Sequence, residues 1–345
     1  MTALIDGYAA ALFDLDGVVY LGPDPVPGAP DGLDRLRDRG VRTGFVTNNA
    51  ARTPETVAEH LRELGIDAKT EDVVTSAQAG ARLLAERFGP GAKILAVGGI
   101  GVHVALAEAG LVTVASADDD PVAVMQGYGT DLTWSQINEA AIAVQRGAHW
   151  LATNTDPTRP TDRGIVPGNG TAVAAVRTAV AVDPEVAGKP YPPLIVETLR
   201  RLGVDQPAGG SAGPRAIFVG DRFDTDIAGA ATVGLDSLFV LSGACGPRDL
   251  VAAPPGERPT HIGRDLNALL DPPRTVHQDG DRAVCGTATA RSRAGGIELD
   301  HLPSDPDQAL DALAAIARLA WSAADSGRPV GEIPELDRLG DLLRG

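Results

Sequence analysis

Short apolar runs alternate with amphipathic stretches along most of the chain. Ala10–Phe13 (AALF) reads as a buried strand. Asp31–Arg39 puts Leu33 and Leu36 on one helical face and is closed by Gly40. Val41–Val46 reads as a second strand, and Pro54–Leu64 as a helix opened by Thr53 and closed by Gly65. Further on come a helix over Leu194–Leu202, a strand over Ala216–Val219, a helix over Asp226–Ala231 and a strand over Ser237–Leu241. This order predicts an α/β fold with a doubly wound, Rossmann-like parallel sheet. In such sheets ligands bind beyond the carboxyl ends of the strands. Asp14, Thr47 and Asp221 stand at or just past such ends.

The middle of the chain repeats the alternation. Ile94–Val97, Val122–Met125 and Trp150–Ala152 read as strands, and Ile100–Glu108, Ser135–Arg146 and Thr171–Val182 as helices. A second α/β domain inserted into the first is expected. After Leu270, Pro272–Pro273 and a polar, Gly-rich segment to about Gly296 predict a linker or short strands. Asp307–Ala324 then reads as one amphipathic helix with Leu310, Leu313 and Ile316 on a face.

The length of 345 residues suits two or three domains. With 30 Lys and Arg against 46 Asp and Glu, the formal net charge is −16. Such a surface repels nucleic acid and anionic membranes, so neither is expected as a partner. It also repels a phosphorylated substrate, so a phosphate site here needs local positive charge or a metal. The two cysteines, Cys245 and Cys285, form no CxxC pair and predict no disulfide framework. MTALIDGYAA lacks a basic stretch followed by a long apolar run, and no run reaches the roughly 18 apolar residues that span a bilayer. A cytoplasmic location is expected.

Asp14-Leu15-Asp16-Gly17 directly follows the first apolar run. Carboxylates two apart at a strand end can face one site, with the leucine between them turned to the core. Gly17 lets the chain turn at once. Two acids at a buried strand end are costly without a cation. Thr47-Asn48-Asn49 offers a hydroxyl and following N–H groups that can point at a phosphate. Gly188-Lys189-Pro190 fails as a Walker phosphate loop, because Asp183 replaces its first glycine and Pro190 its Ser/Thr. A Lys before Pro and a helix can instead project a fixed ammonium. Asp221, with Asp226 five positions on, repeats the strand-end acid. Asp14, the backbone carbonyl of Asp16, and Asp221 form an oxygen set suited to Mg²⁺. Gly98-Gly99-Ile100-Gly101 is a poor dinucleotide fingerprint, since Val104 replaces its last glycine.

In this order the four motifs resemble the phosphatase branch of the haloacid dehalogenase superfamily, over about residues 9–265. The resemblance implies that Asp14 is the nucleophile, Asp16 the general acid/base, Thr47 a phosphate-binding hydroxyl and Lys189 the charge-stabilising lysine. It also implies metal-site roles for Asp14, Asp16, Asp221 and Asp226. From Asp14 to Thr47 is 33 positions, enough for one crossover; from Thr47 to Lys189 is 142, far more than a crossover needs. The surplus resembles the large α/β cap of the p-nitrophenyl, pyridoxal, phosphoglycolate and glycerol-3-phosphate phosphatases. The expected division is therefore a core of residues 1–75 and 181–271, a cap of 76–180, and a C-terminal region of 272–345.

The expected reaction is hydrolysis of a small phosphorylated metabolite through an aspartyl-phosphate, with Mg²⁺ as cofactor. Around the substrate the expected contacts are Thr47, Asn48, Asn49 and Lys189, with Asn154, Asp156, Asn169 and Gly170 from the polar cap segments. A mutase fits less well, since its cap lies between the first two motifs, and a dehalogenase would not carry the second acid, Asp16. A catalytically silent phosphate-binding protein or scaffold is the reading of another class. Overall the chain most resembles the actinobacterial glycerol-3-phosphate phosphatases, whose C-terminal extension has an acetyltransferase-like fold. Glycerol 3-phosphate is accordingly the expected substrate, with phosphoglycolate, pyridoxal phosphate and nucleotides as alternatives. Arg293-Ala294-Gly295-Gly296 matches an acyl-CoA loop poorly, so packing is expected of the extension rather than acetyl transfer. A homo-oligomer, if one forms, is expected through the cap or the C-terminal region.

Overall fold

The computed structural model describes residues 2–161, 163–204 and 215–344. They form two compact units, Met1–Thr43 with Gln206–Gly345, and Gly44–Asp205.

In the first unit, four parallel strands lie in the order His261–Gly263, Asp236–Val240, Ala216–Gly220, Ala10–Asp14. The two strands that end at the acids, AALFD and AIFVG, are buried almost throughout. Such near-continuous apolar runs belong to parallel sheets covered on both faces. Register pairs Phe13 with Val219, so the two strands end level and deliver Asp14 and Asp221 side by side. Beyond Asp221 the chain forms a π-helical turn, Phe223–Ile227, before the helix Ala228–Thr232, where the sequence predicts one plain helix. The cause is local. Asp226 Oδ2 accepts the N–H groups of Asp221 and Arg222, both at 3.1 Å, and pulls the turn back onto the strand end. Gly220 leaves the space: a Cβ there would collide with the Asp226 side chain.

The C-terminal region folds into a four-stranded antiparallel meander of Val276–Asp279, Arg282–Cys285, Ala288–Arg293 and Gly296–Leu299. The expected helix spans Pro306–Asp325 and is capped by Asp305, whose side chain accepts the Gln308 N–H. Its buried face, with Leu310, Leu313 and Ile316, joins Phe223, Ile227, Phe239, Leu241 and Leu250 in one hydrophobic cluster. The meander and the parallel-sheet layer thus share a core.

The second unit holds a five-stranded parallel sheet ordered Glu185–Val186, His149–Ala152, Ala123–Gln126, Lys93–Val97, Val112–Val114. Alternation along its strands supplies two apolar faces. Leu95, Val97, Val124, Trp150 and Ala152 pack with the helices Trp134–Gln145 and Asn169–Arg177. On the other face Leu151 and Met125 reach Gly80 of the helix Ser76–Phe88. The helix predicted over Thr171–Val182 begins two residues earlier and ends five earlier. Gly168 opens it in extended backbone, and β-branched Val180 and Val182 fall outside it. Within the same unit Phe45–Thr47 pairs in parallel with Val73–Thr75.

Candidate active site

The first unit builds a carboxylate cluster. Oxygens of Asp14, Asp221 and Asp226 lie within 4.8 Å of one another, and the latter two residues are buried. Asp16 follows the strand end and bridges to Tyr20, where the chain turns through Gly17 at φ 86°. Residues from a third strand end, which the sequence reading missed, complete the wall. Ala244 N–H donates to Asp221 Oδ2 at 2.6 Å, and Ser242 Oγ donates to the Gly17 carbonyl at 2.7 Å. The signal was present: after the strand Asp236–Val240 and Leu241, Ser242-Gly243 gives small, polar residues, like the other strand ends.

Three carboxylates so close repel one another strongly unless a cation lies among them. The donor set is all oxygen, which suits Mg²⁺ and not a thiolate- or imidazole-preferring metal. Close packing fixes it: a Cβ on Gly17 or on Gly243 would overlap the Asp221 carboxylate. The cluster therefore fits Mg²⁺, with Asp14, Asp221 and Asp226 as the side chains placed to hold it. One oxygen of Asp226 is already shared with two backbone N–H groups.

The second unit gathers the other predicted residues. Thr47 ends its strand, buried, and its Oγ1 accepts the Asn49 N–H at 3.1 Å. Asn49 Oδ1 in turn accepts the Ala51 N–H at 2.9 Å, so this side chain is engaged in its own turn. Asn48 reaches Lys189: its Oδ1 accepts the Lys189 N–H at 2.8 Å, and its Nδ2 donates to the Lys189 carbonyl at 3.0 Å. Lys189 is 4% exposed and forms a cis peptide with Pro190. Asp156 Oδ2 lies 3.3 Å from Asn48 Nδ2. Asn154 Nδ2 donates to the Asn48 carbonyl, and Asn169 Nδ2 to the Asn154 carbonyl, both at 2.7 Å. Gly170 lies in the first turn of the helix Asn169–Arg177 and donates its N–H to the Asp156 carbonyl at 2.8 Å; a Cβ there would collide with the Thr155 carbonyl. Among the described helices none is long and apolar enough to cross a membrane.

Comparison with known proteins agrees with this architecture. Residues 11–112 match the family described as haloacid dehalogenase-like hydrolase, and residues 186–269 match a second model of HAD-hydrolase-like proteins. The chain is 43% identical over 326 residues to D-glycerol 3-phosphate phosphatase of Mycobacterium tuberculosis, covering 94% of this chain and 88% of the relative. It is 39% identical over 263 residues to acid sugar phosphatase of Staphylococcus aureus, covering 76% of this chain and 97% of that one. A crystal structure of glycerol phosphate phosphatase from Mycobacterium tuberculosis in complex with magnesium superposes with a TM-score of 0.77 at 40% identity, covering 92% of each chain. The chain belongs to the haloacid dehalogenase-like hydrolases, and within them it is a phosphatase.

Proposed function

We propose that this phosphatase hydrolyses glycerol 3-phosphate, through covalent catalysis at Asp14. The observation that carries the substrate is the 43% identity to the D-glycerol 3-phosphate phosphatase, over 94% of this chain against 76% for the acid sugar phosphatase.

The chemistry follows from the two strand-end acids. An Asp14 carboxylate oxygen attacks phosphorus, and the bond from phosphorus to the glycerol oxygen breaks. Asp16 delivers a proton to the departing alkoxide, then takes one from the water that attacks the aspartyl-phosphate and releases inorganic phosphate. An anionic nucleophile approaching an anionic phosphoryl group needs that charge offset. Mg²⁺ at the carboxylate cluster supplies the neutralisation. Lys189 adds a positive charge, and Thr47 orients phosphoryl oxygens for in-line attack. In this reading residues 76–180 form the cap and select the leaving group, on a core of 1–75 and 181–271. Asp156 and the N-terminal turn at Gly170 are its polar groups for the glycerol hydroxyls, since each buried hydroxyl needs a partner. The region 272–345 has a packing role, supported by the core it shares with Phe239 and Leu241.

A panel of esters with saturating Mg²⁺ tests the substrate: glycerol 3-phosphate, hexose phosphates, phosphoglycolate, pyridoxal phosphate, nucleoside monophosphates and p-nitrophenyl phosphate. Glycerol 3-phosphate should give the highest kcat/KM among the natural esters. A tenfold preference for a hexose phosphate or any other natural ester would overturn the assignment while leaving the phosphatase class intact.

A further inference from the structure

Three side-chain amides in the second unit form an unbroken chain of hydrogen bonds ending on the lysine. Asn169 Nδ2 donates to the Asn154 carbonyl at 2.7 Å, and Asn154 Nδ2 donates to the Asn48 carbonyl at 2.7 Å. Asn48 then grips both polar atoms of the Lys189 backbone, at 2.8 and 3.0 Å. Ser76 Oγ adds a second donor to the Asn48 carbonyl at 2.7 Å. Asn154 and Asn169 are 4% and 2% exposed. A buried amide is costly unless its hydrogens are used, and here each reaches a backbone carbonyl of a different segment. Glycines make the close approach feasible. A Cβ on Gly188 would sit 2.6 Å from Asn48 Oδ1 and 2.5 Å from the Thr153 carbonyl.

These bonds bear on catalysis through their end point. Thr47 and Asn48 are adjacent in sequence, whereas Lys189 lies far along the chain. With its carbonyl held by Asn154 and Ser76 and its amide locked to Lys189, Asn48 fixes the Thr47 turn and the base of Lys189 relative to each other. Both groups must meet the same phosphoryl oxygens, and small misplacements of such groups are expensive in rate.

We propose that Asn154 and Asn169 are positioning residues for the phosphate-binding pair Thr47 and Lys189, acting through Asn48, rather than contacts for the leaving alcohol. The proposal rests on the roles of Thr47 and Lys189 given above, and not on which ester is the substrate. Asp156, on the same turn as Asn154, also accepts from Asn48 Nδ2 at 3.3 Å, and its assignment to the leaving group is no part of this proposal.

The test uses the full-length enzyme with Mg²⁺. Asn154→Ala should lower kcat/KM about 10- to 100-fold, equally for p-nitrophenyl phosphate and an alkyl phosphate. The inhibition constant for inorganic phosphate, which has no leaving group, should rise in step. Asn169→Ala should give the same pattern more weakly, being one bond further away. Asn154→Leu keeps the volume without the donor and decides the matter if the alanine variant does not fold. A loss confined to the alkyl ester, with phosphate inhibition unchanged, would overturn the proposal in favour of a leaving-group contact. A lowered Tm with unchanged kinetic constants per folded molecule would also overturn it, leaving a structural role only. If the wild type hydrolyses neither ester, the reading of the site itself fails.

Discussion

The carboxylate of Asp221 occupies the space that a Cβ on Gly17 would need. Gly17 also sits at φ 86°, a conformation that strains any L side chain. The turn after Asp14 and Asp16 and the acid on the neighbouring strand are therefore fitted to each other. Gly17→Ala should cost activity by displacing Asp221 or by straining the turn that carries Asp16. A loss in kcat/KM of about 100-fold or more is expected, from misplacement alone. Gly243→Ala should act alike, because its Cβ would meet the same carboxylate. Near-normal kinetics in both variants would show that the cluster is not held by close packing.

The nucleophile is tested by Asp14→Asn. Turnover should fall below detection while far-UV circular dichroism and gel-filtration volume are retained. Rapid quench of the wild type with labelled substrate should trap phosphate on Asp14 and on no other residue. Asp16→Asn should act differently. A p-nitrophenolate leaves without help, so its ester should be spared relative to an alkyl phosphate, whose alkoxide needs a proton. Equal losses on both esters would remove Asp16 from the acid role.

Metal binding can be read without turnover. Three clustered carboxylates destabilise the metal-free protein, and a cation that binds only the folded state adds RT ln(1 + [L]/Kd). Mg²⁺ at about 100 times its Kd should therefore stabilise the enzyme by about 2.7 kcal/mol, visible as a higher Tm. Asp221→Asn should abolish that shift. Chelator should remove activity and Mg²⁺ restore it. Ca²⁺ should bind yet inhibit, since it accepts higher coordination and spoils the position of Asp14 for attack. An unchanged Tm on adding Mg²⁺, or full activity in excess chelator, would refute the site.

What could be read from the chain beforehand follows a physical division. The strand-end positions of Asp14, Thr47 and Asp221 were legible because each stands at or just past an apolar run, and strand ends are where this architecture places its ligands. The Asn48–Lys189 clamp was not visible, because it joins residues far apart and an amide carries no sign of its partner. The bonds from Asn154 and Asn169 to distant backbone carbonyls were hidden for the same reason. The stretch after Leu270 was legible as a linker or short strands, and short strands are what form, but their union in one sheet was not legible, because most inward positions are small. Ala283, Cys285, Ala290 and Ile297 carry its core, and alanine gives little hydrophobic contrast. The π-helical turn before Ala228 depends on Asp226 reaching back to two N–H groups, a contact that propensity cannot register.

Glu197 offers a prediction on acid stability. It is 4% exposed, and burial raises its pKa. Hydrogen bonds from Arg200 at 2.8 Å and Arg201 at 2.7 Å outweigh that and hold it below the ordinary glutamate value of 4.5. A folded-state pKa below the unfolded one adds stability that is complete above the unfolded value and lost as pH falls through the folded one. Wild type should thus lose this contribution below about pH 4.5. Glu197→Gln should lower Tm at pH 7 but narrow the gap to wild type as the pH is taken toward 3. A gap that stays constant with pH would show that the charge of Glu197 contributes nothing.

The C-terminal region yields the strongest stability prediction, because it is not a detachable appendage. Leu313 and Ile316 are fully buried in a cluster with Phe223, Phe239 and Leu250. Trp321 Nε1 donates to the Leu250 carbonyl at 2.9 Å, and Arg258 pairs with Asp325 at 2.7 and 2.8 Å. Phe223 opens the π-helical turn that contains Asp226 and belongs to the same hydrophobic cluster as the helix Pro306–Asp325. Deleting residues 272–345 would uncover this face and should give insoluble or molten protein, since large exposed apolar patches drive aggregation. Leu313→Ala should cost about 2–5 kcal/mol, the range for emptying a leucine-sized site in a packed core. Urea denaturation would measure it, and the midpoint should fall with little change in slope. A soluble, cooperatively folding truncation at 271 with the wild-type Mg²⁺-induced Tm shift would show that the parallel-sheet layer stands without this region.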